Sequence, residues 1–264
     1  MSTGNQAEEL AEQTLDAVAS VRLRLGRAVE SAKELDDLLR QTEKSVRELP
    51  VPPQTELAEN ERAMVLLDAN QHGREIGASV KQSEIQVAVV REHLASASAA
   101  VTQAKGFLDE LAELSGQQPG TAVGAGPQVN PADLRERLTQ LETAIATAET
   151  RAERTEERLG NARGRIAPLI KLHGDYDNRA MSSVYEASSA VTKDLSGIQA
   201  GVGTTSAAHT SAAQLTTAAE DLAAAVRAAS NPTPVSDRQT PAASSEQDHR
   251  DRTGTSTRGP RLSR

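Results

Sequence analysis

The side chains that could do chemistry are present in this chain but are not assembled. His72, His93, His173, His209 and His249 are dispersed. No two of them stand three or four apart, the spacing that would put two imidazoles on one helix face for a metal, and there is no HExxH. Asp175-Tyr176-Asp177 opens like a calcium loop, but Arg179 occupies the next ligand position and no glycine follows where the loop must turn. The pair reads instead as a helix cap. Gly160-Asn161-Ala162-Arg163-Gly164-Arg165 lacks the Lys-Ser/Thr ending of a phosphate loop and lies inside a helical pattern, and Gly201-Val202-Gly203 also follows a helix, not a strand. Carboxylates are plentiful, but they sit on solvated helix faces, with no apolar pocket to raise the pKa of a general acid. Cys is absent and no Ser sits in a G-x-S-x-G elbow, so nucleophilic hydrolysis has no support. The expectation is a non-enzymatic protein with no catalytic residue, no cofactor and no metal ligand.

The charges that are ordered belong to a helix expected from Pro131 to about Leu172. One apolar seam runs Leu138, Ile145, Ala152, Leu159, Ile166, and the other Leu134, Leu141, Ala148, Thr155, Ala162, Leu169. One flank is acidic (Glu142, Glu149, Glu156) and the other basic (Arg137, Arg151, Arg158, Arg165). Heptad seams with sign-sorted flanks describe a helix that lies along another helix, and these seven residues are the candidate partner interface. Beside a parallel copy of itself, Arg137 would face Glu142 and Arg151 would face Glu156. Against the next helix in the chain, antiparallel, the facing flanks (Ala187, Asp194, Thr192, Gln199) are nearly neutral and accept either sign. An exposed ion pair contributes only ~0.5 kcal/mol, so chain connectivity favours the hairpin. The sorted charges then guide a second partner at the seam edges.

The elements that position this helix repeat its plan. A first helix, about 5–49, carries seams Ala11, Val18, Leu25, Ala32, Leu39, Val46 and Thr14, Val21, Ala28, Leu35, Thr42, Leu49. Pro50-Val51-Pro52-Pro53 ends it, because proline cannot donate the next helical hydrogen bond. A second helix, about 55–114, should fold back antiparallel and outreach the first, leaving an end that needs another cover. Its Gly73 and Gly77 have the small-xxx-small spacing of a close crossing, although a local weak spot is the simpler account. A flexible connector, 116–130, follows. Asn130 as N-cap, Pro131 at the first helical position and Asp133 in the first turn then start the third helix. Pro168 should kink that helix or mark its last turns. A fourth helix, about 179–229, changes frame at Gly201-Val202-Gly203 in the manner of a stammer or a short break. The domains so defined are a hairpin at 1–115, the connector, a second hairpin at 131–230 and a disordered tail at 231–264, rich in Pro, Ser, Thr, Asp and Arg. The fold class is all-α: long antiparallel, coiled-coil-like hairpins forming either a four-helix bundle or an extended rod.

Composition agrees with a thin core. The chain has no Trp, one Phe (Phe107) and two Tyr (Tyr176, Tyr185), so stability must come from many small contacts along its length. A net charge of −8 argues against the whole chain binding a polyanion. Arg252, Arg258, Arg261 and Arg264 form a basic end, but no aromatic residue accompanies them for base stacking, and a solvated tail is expected. No stretch approaches the roughly 20 apolar residues that span a bilayer, and the first residues do not read as a signal peptide. The expected location is cytoplasmic, with leaderless export as the alternative.

The Ala/Ser/Thr/Gln-rich fourth helix resembles chemoreceptor cytoplasmic bundles in composition, without their hairpin-tip signature. The hairpin plan and the Ala- and Arg-rich composition resemble small helical proteins handled by type VII secretion. Their Trp-x-Gly turn is impossible here, and their Tyr-xxx-Asp/Glu signal fails because Ala180 and Ser189 occupy the acidic positions. The expected function is a scaffold or adaptor that mediates protein–protein contact or self-association. The alternatives are a secretion-associated helical protein and a helical signalling rod hinged at the fourth-helix break.

Overall fold

The heptad seams decide the architecture. In a computed structural model that describes residues 3–53, 56–116, 130–171 and 178–230, the helices are α1 (Thr3–Arg47), α2 (Glu59–Gly116), α3 (Pro131–Ile170), α4 (Asn178–Leu195) and α5 (Val202–Ser230). No strand occurs among the described residues. Each seam position expected in α1 and α3 is buried, including Thr14, Thr42 and Thr155. The α2 seam is buried from Leu66 and Ala69 to Leu108 and Leu111, with Ser83 in its middle. The connector residues 117–129, the turn residues 172–177 and the tail 231–264 lie outside the described residues. So does the expected Asp175–Asp177 cap.

Contacts along the helix edges give the topology. Going up α1 from Glu34 to Glu48, partners on α2 descend from Gln86 to His72, so the two helices are antiparallel. On the other edge of α2, Lys105 meets Glu142 at 2.9 Å and Glu84 meets Arg163 at 3.0 Å, again antiparallel. The fourth position is shared: α4 and α5 both run antiparallel to α3, and α5 returns along α1, where Arg227 reaches Glu12 at 2.9 Å. Helices α1 and α3 are not adjacent, nor are α2 and α5, so these are the diagonals of an up-down-up-down four-helix bundle. The described residues all belong to one compact unit, Met1–Pro232. Within it the two hairpins pack side by side, which selects the bundle over the extended rod.

The termini follow from local chemistry. Asn130 caps α3, its side chain accepting from the Ala132 N–H at 3.0 Å, with Pro131 at the first position and Asp133 in the first turn. At the start of α2, Glu61 reaches back to accept from the Ala58 N–H at 2.8 Å, which is half of a capping box. Pro168 lies in the last turn of α3, so the hydrogen bond it forgoes, to the Gly164 carbonyl, is lost at the end of the helix and not in its middle.

Two expectations need correction. The fourth helix is not continuous: it stops at Leu195 and restarts at Val202, so the break spans 196–201 and not 201–203. Gly197 (φ 69°) and Gly201 (φ 71°) hold the left-handed conformation that other residues resist, whereas Gly203 is an ordinary residue of α5. Without the break, the α4 frame would carry His209 to the core. The break brings Ala208 there instead (0% exposed), with the His209 ring set over Gly26 of α1. The second correction concerns Gly73 and Gly77, which mark a close crossing and not a weak spot. A Cβ on Gly73 would lie 2.8 Å from the Leu169 Cβ, and one on Gly77 would lie 3.0 Å from the Ile170 Cδ1. Beside this notch, the Asn70 side-chain amide donates to the carbonyls of Leu169 (3.0 Å) and Ile170 (2.8 Å), satisfying the open end of α3. The overreaching start of α2 therefore receives the end of α3.

Candidate functional site

Helix α3 holds the sorted charges, and each flank faces a different neighbour. The acidic flank lies along α2. Glu142 pairs with Lys105 at 2.9 Å, while Arg91 pairs with Glu156 and reaches Glu153 at 3.4 Å. These contacts recur one heptad or two apart on both helices, because antiparallel helices of equal pitch keep their register. The position of α2 between Lys105 and Arg91 is Ser98, and the α3 residue at that level is Glu149. With no cation at its level, Glu149 has its pKa raised, first by burial and then by the neighbouring Glu153, against a smaller opposing pull from Arg91.

The basic flank lies along α4 and α5 and straddles their break. Arg165 pairs with Asp194 at 2.8 Å, in the last turn of α4. Arg158 donates through Nη2 to the Ser196 carbonyl at 2.5 Å and to the Lys193 carbonyl at 3.4 Å. Those carbonyls belong to the open, partly negative end of α4, where a guanidinium is favourable. From the seam between the flanks, the Thr155 hydroxyl donates to the Gln199 carbonyl at 3.2 Å, within the break itself. Arg151 donates to the Thr204 hydroxyl in the first turn of α5. A single face of α3 thus grips the end of one helix, the loop and the start of the next.

Arg137, the remaining member of the basic flank, lines an open cleft of about 350 Å³ between α3 and α5, with Asn130, Asp133, Thr217 and Asp221. The cleft is open to solvent, and Leu134 and Ala218 also line it. It offers one cation and two carboxylates to a polar segment, but no enclosed apolar floor for a small molecule.

Sequence reasoning missed the α2 half of these contacts. Glu84, Arg91 and Lys105 occupy one heptad position of α2, and that regularity was the available signal. That regularity does not show when α3 is set only against itself and the helix after it. Asn70 gave no signal, since its role depends on where α3 ends.

The described histidines, His72, His93 and His209, remain apart from any such arrangement, and His173 and His249 lie outside the described residues. His72 Nδ1 lies 3.6 Å from Glu48 and 3.5 Å from Glu75 at the α1–α2 edge, and His93 Nδ1 is buried without a hydrogen-bond partner. Among the described residues, no group of three or more His, Asp or Glu side chains is placed to hold a metal ion. No helix among them is long and apolar enough to cross a membrane. Comparison with known proteins gives no match: no family model, no curated protein and no solved structure aligns with this chain.

Proposed function

We propose that this chain is a non-enzymatic helical scaffold or adaptor, which offers a helical surface to a protein partner or to a second copy of itself. The observation that supports this is the exposed apolar set at one end of the bundle. Met64 (59% exposed) and Leu67 (62%) stand three residues apart on the outer face of the first turns of α2. Val51, after the end of α1, and Ile170, at the end of α3, are exposed at the same end. Along the rest of the bundle the exposed large apolar side chains, Leu23 and Ile85, stand alone. Covering one such side chain is worth about 1.5–3 kcal/mol, so a surface that covers several has a substantial driving force. Of the sorted charges on α3, Arg137 in its open cleft and Glu149 beside Ser98 are the two this reading assigns to a partner.

The test uses the full chain with Met64→Glu and Leu67→Glu together. Both side chains already face solvent, so circular dichroism should keep its helical signal. Self-association in sedimentation, or capture of a host partner, should fall at least tenfold. A wild-type chain that stays monomeric at every concentration and retains no host protein removes the proposal.

A further inference from the structure

We propose that α4 is a latch segment, which opens from the bundle as a unit while α1, α2, α3 and α5 remain folded, and that the basic flank of α3 holds it shut. This inference depends on the fold alone and stands whether or not the scaffold reading holds.

Four independent features set α4 apart. It is the shortest helix, Asn178–Leu195, against Val202–Ser230 for its continuation α5. It packs chiefly on α3 and only sparsely on α1 and α2, whereas α5 lies along both α1 and α3. Its core face carries a defect: Ser188 is 3% exposed and its hydroxyl has no hydrogen-bond partner, so docking α4 desolvates a polar group without compensation. Its boundary with α5 is a loop that two positive-φ glycines, Gly197 and Gly201, allow to turn sharply. A helix joined through such a loop can leave without pulling its neighbour, since no helical hydrogen bond runs through the break.

The closed state is held from α3. Arg158 occupies the carbonyls that end α4, and Arg165 pairs with Asp194. Arg151, in contrast, holds the far side of the break at Thr204, so its contact survives when α4 departs. The three arginines therefore divide into two that close the latch and one that anchors its hinge. Opening exposes the apolar side chains that α4 itself buries, Met181, Val184 and Val191.

Native-state hydrogen exchange on the full chain tests this, because cooperative units of different stability exchange at different rates. Amides of 181–195 should exchange well ahead of those in α5 and in the middle of α3. Arg158→Ala should speed α4 by a few-fold to tenfold, with Arg158→Lys intermediate, and Ser188→Ala should slow it. Arg227→Ala, which cuts pairs of α5 with Glu8 and Glu12 that survive the departure of α4, should speed α5 and leave α4 unchanged. The proposal is overturned if α4 and α5 exchange at one rate in the wild type, or if Arg227→Ala speeds both helices alike.

Discussion

Helix α3 carries two flanks of the same design and meets two different neighbours with them. On the α2 side, a continuous helix faces a continuous helix, and the contacts are side chain to side chain: Glu142 with Lys105, Glu156 with Arg91. On the other side the neighbour is interrupted, and Arg158 spends its donors on backbone carbonyls that the broken helix leaves open. The first arrangement sets register and can lose a member at small cost. The second replaces hydrogen bonds that the backbone would otherwise lack. Heptad spacing alone does not distinguish these roles; the integrity of the partner helix does.

The α2 side has one place where shape outweighs charge, and there the largest effect is expected. Gly73→Leu places a branched side chain where even a Cβ would stand 2.8 Å from the Leu169 Cβ, an atom fixed to the backbone of α3. The cost should be about 2–3 kcal/mol of unfolding free energy in denaturant titration. Gly77→Ala should do the opposite. Its new methyl is crowded by the terminal Cδ1 of Ile170 at 3.0 Å, a side chain free to turn, and meets the Ile166 Cγ2 at an ordinary 3.6 Å, so the gain in helix propensity of up to ~1 kcal/mol survives. If both variants destabilise equally, the crossing is not the close notch described.

The notch shows how far the sequence could be read. Apolar periodicity gave the seams of α1, α2 and α3 residue by residue, because a seam is a local property of one helix. The start of α3 was legible for the same reason, since Asn130, Pro131 and Asp133 cap it from within a single turn of chain. Gly73 and Gly77 were visible as a pair, yet their meaning depended on Leu169, nearly a hundred residues away. The break in the fourth helix was visible as a change of frame, but its position was not. Gly201-Val202-Gly203 drew attention, while the glycine at 197 that ends α4 looked like any other. The sign sorting of the α3 flanks is a local pattern and was legible, as was Asp194 on the next helix; Arg91 of α2 and the carbonyl of Ser196 were not, because only the bundle brings them to α3.

The next effect bears directly on the two flanks. Arg158→Ala strips the exposed Ser196 carbonyl of its charged donor, while the Lys193 carbonyl keeps the Ser196 hydroxyl, and should cost about 1 kcal/mol. Arg91→Ala removes ion pairs whose side chains are 41–58% exposed, and should cost no more than ~0.5–1 kcal/mol after solvent screening. Added salt should narrow the loss for Arg91→Ala more than that for Arg158→Ala. Equal losses with equal salt dependence would make the flanks equivalent and dissolve the distinction.

The smallest effect completes the ladder on the α2 side. Ser98→Lys puts a cation at the level of Glu149, the acidic residue whose pKa is raised by burial and by Glu153. In the wild type, that raised pKa means protonation is easier in the folded than in the unfolded chain, so Glu149 opposes folding above the carboxylate range and ceases to do so as pH falls through it. A lysine partner favours the charged form and brings the pKa down. The stabilisation, about 0.5 kcal/mol, should therefore be present at neutral pH and vanish as the solution is acidified through the range where carboxylates titrate. Thermal unfolding of both proteins across that range reads the difference, and high salt should reduce it at neutral pH. A gain that persists in acid would show that the lysine stem packs on the helix surface, and that charge was never what the α2 flank lacked.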